Sequence, residues 1–329
     1  MDVRNVLKKW MLPIAMLTGA CLYLIYHSFP PSWHKAGPML EDIMGVVQPL
    51  LIFSMLFLTF CRIEPRELKP HRWHWKLLLI QAGLYLVLGV VIYAIPGWCS
   101  GDHHNVTVLL ESAMLCLICP TATAAAVVTR KLGGDVAGIT TYTVLINIVV
   151  AFLVPLVVPM IQPDAGIGFW VAFSMILAKV FPLLIMPCLA AWLVRYLLPK
   201  FHRWLLKFPD LAFYIWAVAL TLAITVSMKY LFASTLSAGM LALMALVSLF
   251  CCAFQFAAGR YVGGHYRSRS LSAADCNKVT AGQALGQKNT VFAIWMAYTF
   301  MTPETAIIGG FYSIWHNLYN SWQLRRARS

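Results

Sequence analysis

The chain has 329 residues, of which 60% are hydrophobic and only 11% are charged. Soluble domains carry about 25% charged residues, so this composition excludes an ordinary soluble domain and indicates a polytopic membrane protein. The formal net charge of +13 could suggest a nucleic-acid partner, but the positions of the basic residues follow the predicted membrane boundaries instead.

Ten apolar stretches are long enough to cross about 30 Å of hydrocarbon as helices. In chain order they lie near residues 10–28, 39–60, 75–97, 106–130, 136–160, 168–197, 209–232, 235–259, 272–300 and 303–323. The first could be the apolar region of a signal peptide, but no A-x-A-like cleavage site follows it, so we interpret it as a retained helix. The sequence therefore predicts an all-α membrane protein with ten transmembrane helices.

The basic residues indicate how these helices are oriented. All but four of the 25 Lys and Arg residues fall in alternate connecting segments, and the other connections hold only Lys35 and Lys229. The positive-inside rule therefore places both termini in the cytoplasm, which requires an even number of spans. We expect a multi-pass protein of the plasma (inner) membrane, with Lys179 and Lys288 inside predicted spans.

The spans divide near residues 162–166 into two sets of five. Because five is odd, the second set must run opposite to the first across the bilayer, as in the inverted repeats of secondary transporters. We therefore predict two inverted five-helix repeats, comprising residues 1–164 and 165–329.

Helix-breaking residues occur at matching positions in the two repeats. In the fourth span, Pro120 interrupts the sequence CLICPTATAAAVVT (116–129), because its ring removes a backbone hydrogen bond and disfavours helix at the preceding residue. In the ninth span, TAGQALGQKNT (280–290) combines two glycines with Gln, Lys and Asn side chains. Backbone groups freed at membrane depth must be buried in protein or line a cavity, and paired broken helices indicate the central site of a transporter. Two harmless kinks are the alternative interpretation.

Three motifs carry a family resemblance. The sequences CPTATAAAVVTRKLGGDVAGITTYTV (119–144), GQKN (286–289) and SIWHNLYNS (313–321) resemble spans four, five, nine and ten of the bile acid:sodium symporter family. The resemblance implies a divergent, bacterial-type member with a core domain of spans 3–5 and 8–10, a panel of spans 1, 2, 6 and 7, and broken helices 4 and 9 that cross at mid-membrane. It also implies alternating-access transport of an organic anion, such as a bile acid or a smaller carboxylate.

The resemblance also implies a set of site residues. The predicted substrate-binding residues that match family motifs are Thr123, Asn289, His316 and Asn317, and the charge of Lys288 adds this residue to the set. The positions assigned to coupling or to the crossing of the broken helices are Gln81, Pro120, Thr143, Gly286, Gln287 and Lys288. Thr123 has a simpler alternative, in which its hydroxyl only bonds to the preceding helical turn.

The sequence departs from the family at the sodium-binding positions. Family members that use sodium carry a Ser-Asn pair, a fifth-span serine, and a ninth-span glutamate and glutamine. This chain has Ala125 and Ala126, Ile139, Ala284 and Lys288 there. Sodium needs several oxygen ligands, which these side chains do not supply, and a nearby ammonium would repel it. We therefore predict that neither family sodium site is intact.

Lys288 most needs an explanation in so apolar a chain. Its three N–H donors could bond the freed carbonyls at the crossing and so replace the bound cation. Its charge could attract an anionic substrate group, and, since burial favours the neutral form of an amine, it could carry a proton in each cycle. The simplest alternative is a side chain that extends to water without a specific role. We predict sodium-independent transport, with proton coupling and facilitated exchange both open.

Other functions fit the sequence less well. A sodium-coupled symporter would have to bind the ion through backbone carbonyls. An intramembrane enzyme would need an acidic pair, a His cluster or a nucleophile with its base at membrane depth, and the sequence offers no such group. A ligand-binding sensor would differ from a transporter in moving no substrate. Glu111 and Lys179 are further charges in predicted spans, and no family motif covers them.

No metal or cofactor is expected. Cys116 and Cys119 have the spacing of a redox or metal motif, and residues 102–104 read DHH, but packing and solvation explain these residues more simply. The expected partners are a small organic anion, the lipid bilayer and, with proton coupling, protons. Neither nucleic acid nor an obligate protein partner is indicated.

Overall fold

The computed structural model describes residues 3–29, 37–98, 103–122, 124–162, 168–208, 210–266 and 271–326. Within these ranges the chain is almost entirely helical, and strand-like pairing is confined to one isolated antiparallel bridge between Thr121 and Lys288. Three residues considered in the sequence analysis, Lys35, Asp102 and Thr123, lie outside the described residues, so the predicted role of Thr123 stays a prediction.

The helices follow the predicted apolar stretches closely. In chain order they are α1 (Val3–Ser28), α2 (Gly37–Phe60), α3 (Arg72–Trp98), α4 (His104–Ile118), α5 (Ala125–Lys131), α6 (Val136–Ile161), α7 (Phe169–Leu184), α8 (Met186–Leu197), α9 (Pro199–Leu206), α10 (Leu211–Ala233), α11 (Ala238–Gly264), α12 (Leu271–Gly286), α13 (Thr290–Phe300) and α14 (Ala306–Arg326). Two short 3₁₀ turns, Pro65–Glu67 and Pro303–Thr305, join α2 to α3 and α13 to α14.

Several of these helices are long and apolar enough to cross a membrane. Among the described residues four qualify singly: Arg72–Ile95, Val136–Ile161, Tyr214–Ala233 and Ala238–Gly264. The pair α7 and α8 qualifies only as one bent span. Gly45–Phe60, α4 and α13 are apolar but shorter. The protein is therefore a multi-pass helical membrane protein, whereas the full count of ten crossings stays a prediction.

Three of the predicted stretches are interrupted. The fourth breaks between α4 and α5, where Pro120 was expected to end the helix, and the ninth breaks between α12 and α13. The sixth bends by 41° at Ile185, which the sequence analysis did not anticipate. Pro182 inside α7 and Pro187 at the start of α8 explain this bend, because each lacks a backbone N–H.

The helices pack in two groups. In one, α1 and α2 both contact α10, and α2 also contacts α7 and α8. In the other, α3, α4, α6, α11, α12 and α14 contact one another, and α13 lies against α14. The groups meet where α10 contacts α13 and α14 and where α6 contacts α7. The two interrupted helices α4–α5 and α12–α13 both belong to the second group.

Helices α11 and α12 approach each other closely. A Cβ atom built on Gly259 would lie 2.3 Å from the carbonyl oxygen of Ala281, and one on Gly263 would lie 2.3 Å from that of Asn277. Only glycine fits at such distances, since real Cβ contacts are longer. This pair of glycines holds the α12 half-helix, and with it the start of the second break, directly against α11.

Candidate functional site

The two interrupted helices cross at their breaks. The backbone N–H of Ala122 donates to the carbonyl oxygen of Gln287 at 2.9 Å, and that of Asn289 donates to the carbonyl of Pro120 at 2.8 Å. These bonds flank the bridge between Thr121 and Lys288. The two unwound segments therefore satisfy part of each other's backbone, as any interruption at membrane depth requires. We call residues 119–122 and 286–289 the crossing.

The carbonyls at the end of α4 need donors from elsewhere, because Pro120 has no N–H and the helix goes no further. The side-chain amide of Gln81, in α3, donates to two of these carbonyl oxygens. Its Nε2 lies 3.0 Å from the carbonyl oxygens of Ile118 and of Cys119, and its Oε1 accepts a bond of 2.8 Å from the hydroxyl of Tyr142. The predicted role of Gln81 at the crossing therefore has a structural counterpart, which is the capping of α4.

A third carbonyl of α4, that of Cys116, is bonded by a glutamine from α11. The Nε2 of Gln255 donates to it at 3.0 Å and also approaches the Tyr312 hydroxyl at 3.1 Å. That hydroxyl in turn donates to the carbonyl of Gly286, the last residue of α12, at 2.8 Å. The ends of both half-helices are therefore connected through one chain of side chains from α11 and α14.

Lys288 donates to another carbonyl in the last turn of α4. Its Nζ donates to the oxygen of Leu117 at 3.1 Å, and the residue is only 2% exposed. Its titratable neighbours are thiols, and no described carboxylate makes an ion pair with it. The side chain thus stays inside the protein rather than extending to water. An ammonium at this point lies near the negative ends of two helix dipoles, because α4 ends at Ile118 and α12 at Gly286.

The beginning of α13 is capped by Asn289. Its Oδ1 accepts a bond of 3.2 Å from the backbone N–H of Phe292, the usual arrangement for an asparagine N-cap. Its Nδ2 is buried without a hydrogen-bond partner among the described residues, and so is the Oε1 of Gln287. The hydroxyl of Thr121, another residue of the crossing, does have a hydrogen-bond partner: it donates to the carbonyl of Ala284 at 2.7 Å.

The two polar residues predicted in the tenth span, His316 and Asn317, have different surroundings. His316 is buried, its Nδ1 has no partner in the described structure, and its ring meets that of Tyr312 edge to face at 5.7 Å. Asn317 is half-buried and donates to the carbonyl of Ser313 within its own helix. Ser313 then reaches Thr290, at the start of α13, through a hydroxyl pair at 3.2 Å. His316 therefore reaches the crossing through Tyr312, and Asn317 reaches Thr290, next to the crossing, through Ser313.

The remaining predicted positions also differ in whether they lie at the crossing. Pro120, Gly286 and Gln287 lie in the crossing itself. Thr143, by contrast, is buried in α6 and donates to the carbonyl of Ile139 one turn earlier, at 2.9 Å, so no bond joins it to the crossing. A Cβ on Gly286 would lie 2.4 Å from the ring of Phe256, so glycine is required there by packing.

Three of the positions at which the sequence departs from the resembled family hold apolar, buried side chains. Ala125, Ile139 and Ala284 are all fully buried. They offer no side-chain oxygen, and the nearby carbonyls of α4 already accept bonds from Gln81 and Lys288. Within the described ranges there is also no cluster of three or more His, Cys, Asp or Glu side chains that could hold a metal.

Gln255 and Tyr312 were missed by sequence reasoning, although Tyr312 bonds Gly286 in the crossing and Gln255 bonds both Tyr312 and the nearby carbonyl of Cys116. A glutamine in the middle of the apolar run 238–264 is the signal that could have identified Gln255, because a polar side chain at membrane depth needs a partner. Tyr312 is harder to identify from the sequence, since aromatic residues are common throughout the chain.

The two charges without a family motif lie away from the crossing. Glu111 is fully buried in α4, where it accepts bonds from the Gln162 amide and from the backbone N–H of Thr302. Lys179 is exposed on α7, with its Nζ 5.7 Å from the centre of the Phe300 ring. Glu111 therefore joins the ends of α6 and α13, whereas Lys179 makes a cation–π contact at the surface.

Comparison with known proteins identifies the family. The model of the SBF-like CPA transporter family matches residues 15–324, which is nearly the whole chain. The chain belongs to this family. No curated protein sequence matches it significantly.

Membership in the SBF-like CPA transporter family makes the protein a transporter of this type and agrees with the bile acid:sodium symporter resemblance of the sequence motifs. The match includes both interrupted helices and every predicted site residue.

Proposed function

We propose that this transporter carries an organic anion across the membrane by alternating access without bound sodium, and that Lys288 takes the place of the coupling cation. One observation carries the proposal. The Lys288 ammonium is buried at the crossing, bonds the carbonyl of Leu117 at 3.1 Å, and has no described carboxylate as partner.

The first argument concerns sodium. A sodium ion requires several oxygen ligands, and the carbonyls that end α4 already accept bonds from Lys288, Gln81 and Gln255. A sodium ion about 4 Å from the ammonium would also be repelled by roughly 4 kcal/mol at an effective dielectric constant of about 20. Both effects oppose sodium binding beside Lys288, so the fixed ammonium is the cation of this site.

The second argument concerns the substrate. Lys288 has three N–H donors, of which the bond to Leu117 uses one. The adjacent Asn289 contributes a buried Nδ2 without a partner in the described structure. A group of unused donors around a positive charge matches the acceptor oxygens of a carboxylate. The substrate class, a bile-acid-like or smaller carboxylate, follows from the family resemblance, and the donor set supports its anionic group.

The proposed architecture is that of the family. Residues 1–164 and 165–329 would form two inverted repeats with ten crossings in total, and the two groups of packed helices would be the panel and the core. The break of α4–α5 in one repeat and of α12–α13 in the other supports this assignment. The basic residues in alternate connections support cytoplasmic termini.

Uptake by proteoliposomes tests the proposal. The purified protein is given a panel of labelled carboxylates that includes a bile acid, in sodium or potassium buffers of equal ionic strength. We expect uptake that is unchanged when potassium replaces sodium and that is lost in Lys288→Met. Lys179→Met is the matched control, because it removes a second lysine from a predicted span but one that lies at the surface. Sodium-dependent uptake would overturn the proposal and favour an ion held by backbone carbonyls.

A pH gradient then separates the two modes of transport. Lys288→Arg keeps the positive charge, but an arginine does not release its proton in proteins. If the lysine carries a proton in each cycle, a pH gradient drives uptake by the native protein and not by the arginine variant. If the charge is fixed, both proteins exchange substrate without a response to pH.

Saturable binding of a carboxylate without any flux would instead identify a sensor.

A further inference from the structure

A groove separate from the crossing lies between α11, α12 and α14. Its volume is about 640 Å³, within the range of about 300–1,000 Å³ typical of ligand sites. Three aromatic side chains, Phe256, Trp315 and Tyr319, line one part of it, and two basic side chains, Arg260 and Lys278, line another. We call it the basic groove.

The aromatic wall of the basic groove is fixed by its own contacts. The rings of Phe256 and Tyr319 are 4.4 Å apart between centres. The Nε1 of Trp315 donates to the Ser248 hydroxyl at 2.9 Å and to the carbonyl of Ala245 at 3.1 Å. The apolar surface is therefore preformed, so a ligand would not have to order it.

The basic side chains of the groove are unpaired. Neither Arg260 nor Lys278 makes an ion pair or side-chain hydrogen bond within the described part of the chain, although Asp275 also lines the groove. Two positive charges that form no ion pair in the described structure, beside an apolar wall, are complementary to a molecule with an anionic head and an apolar body.

The groove is also continuous with surface that faces lipid. Helix α11 is a candidate membrane span that ends just after Arg260. Two large apolar side chains of the helices that form the groove are exposed, Phe250 on α11 by 70% and Leu318 on α14 by 59%. The positive-inside distribution predicts that the basic end lies on the cytoplasmic side. An occupant can therefore enter sideways from the inner leaflet.

We propose that the basic groove binds one anionic phospholipid of the cytoplasmic leaflet. Its phosphate bonds Arg260 and Lys278, and an acyl chain lies along Phe256, Trp315 and Tyr319. A lipid fits better than a soluble anion because the groove opens onto apolar surface at membrane depth and its charges lie only at one end. The site is distinct from the crossing, which lies behind Phe256 on the side of Gly286.

Quenching of Trp315 fluorescence by brominated lipids tests this proposal. The full-length protein is reconstituted in phosphatidylcholine vesicles that contain rising fractions of phosphatidylglycerol with brominated acyl chains, and parallel vesicles contain brominated phosphatidylcholine. Because the chain has 12 tryptophans, the signal is the difference between the native protein and Trp315→Phe. We expect half-maximal quenching at a several-fold lower fraction of the anionic lipid than of the neutral one.

Two variants and a control connect the result to the groove. Arg260→Gln and Lys278→Gln should each reduce the preference for the anionic lipid by about fivefold, in line with the contribution of a basic residue near a membrane surface. Lys76→Gln, which removes an exposed basic residue of α3 outside the groove, should leave it unchanged. Ala257→Phe, which adds a ring within the groove, should reduce quenching by both lipids.

Three results would overturn the assignment. Equal quenching by the two lipids would mean that no headgroup is selected. An equal loss of preference in Lys76→Gln would mean that general surface charge, rather than the groove, attracts the lipid. Relief of quenching by a soluble carboxylate amphiphile, such as a bile acid, at concentrations that leave the vesicles intact would assign the groove to that class of ligand instead.

Discussion

The ammonium nitrogen of Lys288 lies 3.1 Å from the carbonyl oxygen of Leu117, in the last turn of the half-helix α4. The two residues are 171 positions apart in the chain. One side chain from the break of the ninth predicted span therefore bonds the end of the helix that is interrupted in the fourth.

Lys288→Met should abolish transport without weakening the fold. The lost bond leaves the Leu117 carbonyl unpaired, at a cost of about 1–3 kcal/mol. The substitution also removes a buried, unpaired ammonium, and the desolvation penalty of such an ion is several kcal/mol. We expect the free energy of unfolding, measured by denaturant titration in mixed micelles, to be unchanged or higher. If Lys288→Met instead lost transport because the protein unfolded, the lysine would be only structural.

Gly286→Ala should destabilise the protein by about 1–3 kcal/mol, the usual cost of overpacking a core. The added Cβ would lie 2.4 Å from Cγ of the Phe256 ring. Gly83→Ala in α3 is the matched control, because no atom lies within 4 Å of its added Cβ. It should raise stability by up to about 1 kcal/mol through helix propensity. Phe256→Leu should partly rescue Gly286→Ala, and failure to do so would place the strain elsewhere.

Two buried glutamines should respond oppositely to the same substitution. Gln81→Leu leaves the carbonyls of Ile118 and Cys119 without donors, and each unpaired carbonyl costs about 1–3 kcal/mol. Gln48 of α2 is equally buried, but both polar atoms of its side chain lack partners in the described structure. Gln48→Leu should therefore be neutral or stabilising. Thermal unfolding of the two variants in the same detergent measures the contrast, and equal losses would contradict it.

Glu111→Ala should loosen the junction of α4, α6 and α13. It removes the acceptor for the Gln162 amide and for the backbone N–H of Thr302. Hydrogen bonds to a charged group contribute about 1.5–3 kcal/mol, so we expect a loss of that order. Glu304→Ala, in the adjacent 3₁₀ turn, should stay within about 0.5 kcal/mol of the native protein. Faster amide hydrogen exchange at the ends of α6 and α13 in Glu111→Ala alone would locate the effect.

The breaks were predictable from the sequence because backbone chemistry determines them locally. Pro120 cannot donate a hydrogen bond, and the glycines and amides of residues 280–290 disfavour a continuous helix, so both interruptions could be located from the residues alone. The same reasoning applied to Pro182 and Pro187 would have given the bend at Ile185. It was overlooked because the apolar run continues through both prolines.

The partners of the crossing were not predictable, since they depend on which helices meet. Gln255 and Tyr312 lie in α11 and α14, far in sequence from the carbonyls that they bond. The sequence indicates that freed carbonyls need donors, but tertiary packing decides which side chains supply them. Thr143 shows the converse, because its matching position in the family motif did not bring its hydroxyl to the crossing.

The bonds around the two breaks bear on how the molecule moves. Gln81, Gln255 and Tyr312 join the crossing to α3, α11 and α14, so any shift among these helices would break several buried hydrogen bonds at once. The surface between α10 and α14 is different, because Gly310 there faces Ser227, whose hydroxyl donates a long bond of 3.3 Å to the Ala306 carbonyl. Small residues at such a surface allow packed helices to slide. We therefore expect the crossing to move together with α3, α11 and α14, and we expect the sliding in the proposed alternating-access cycle to include the surface where α10 meets α14.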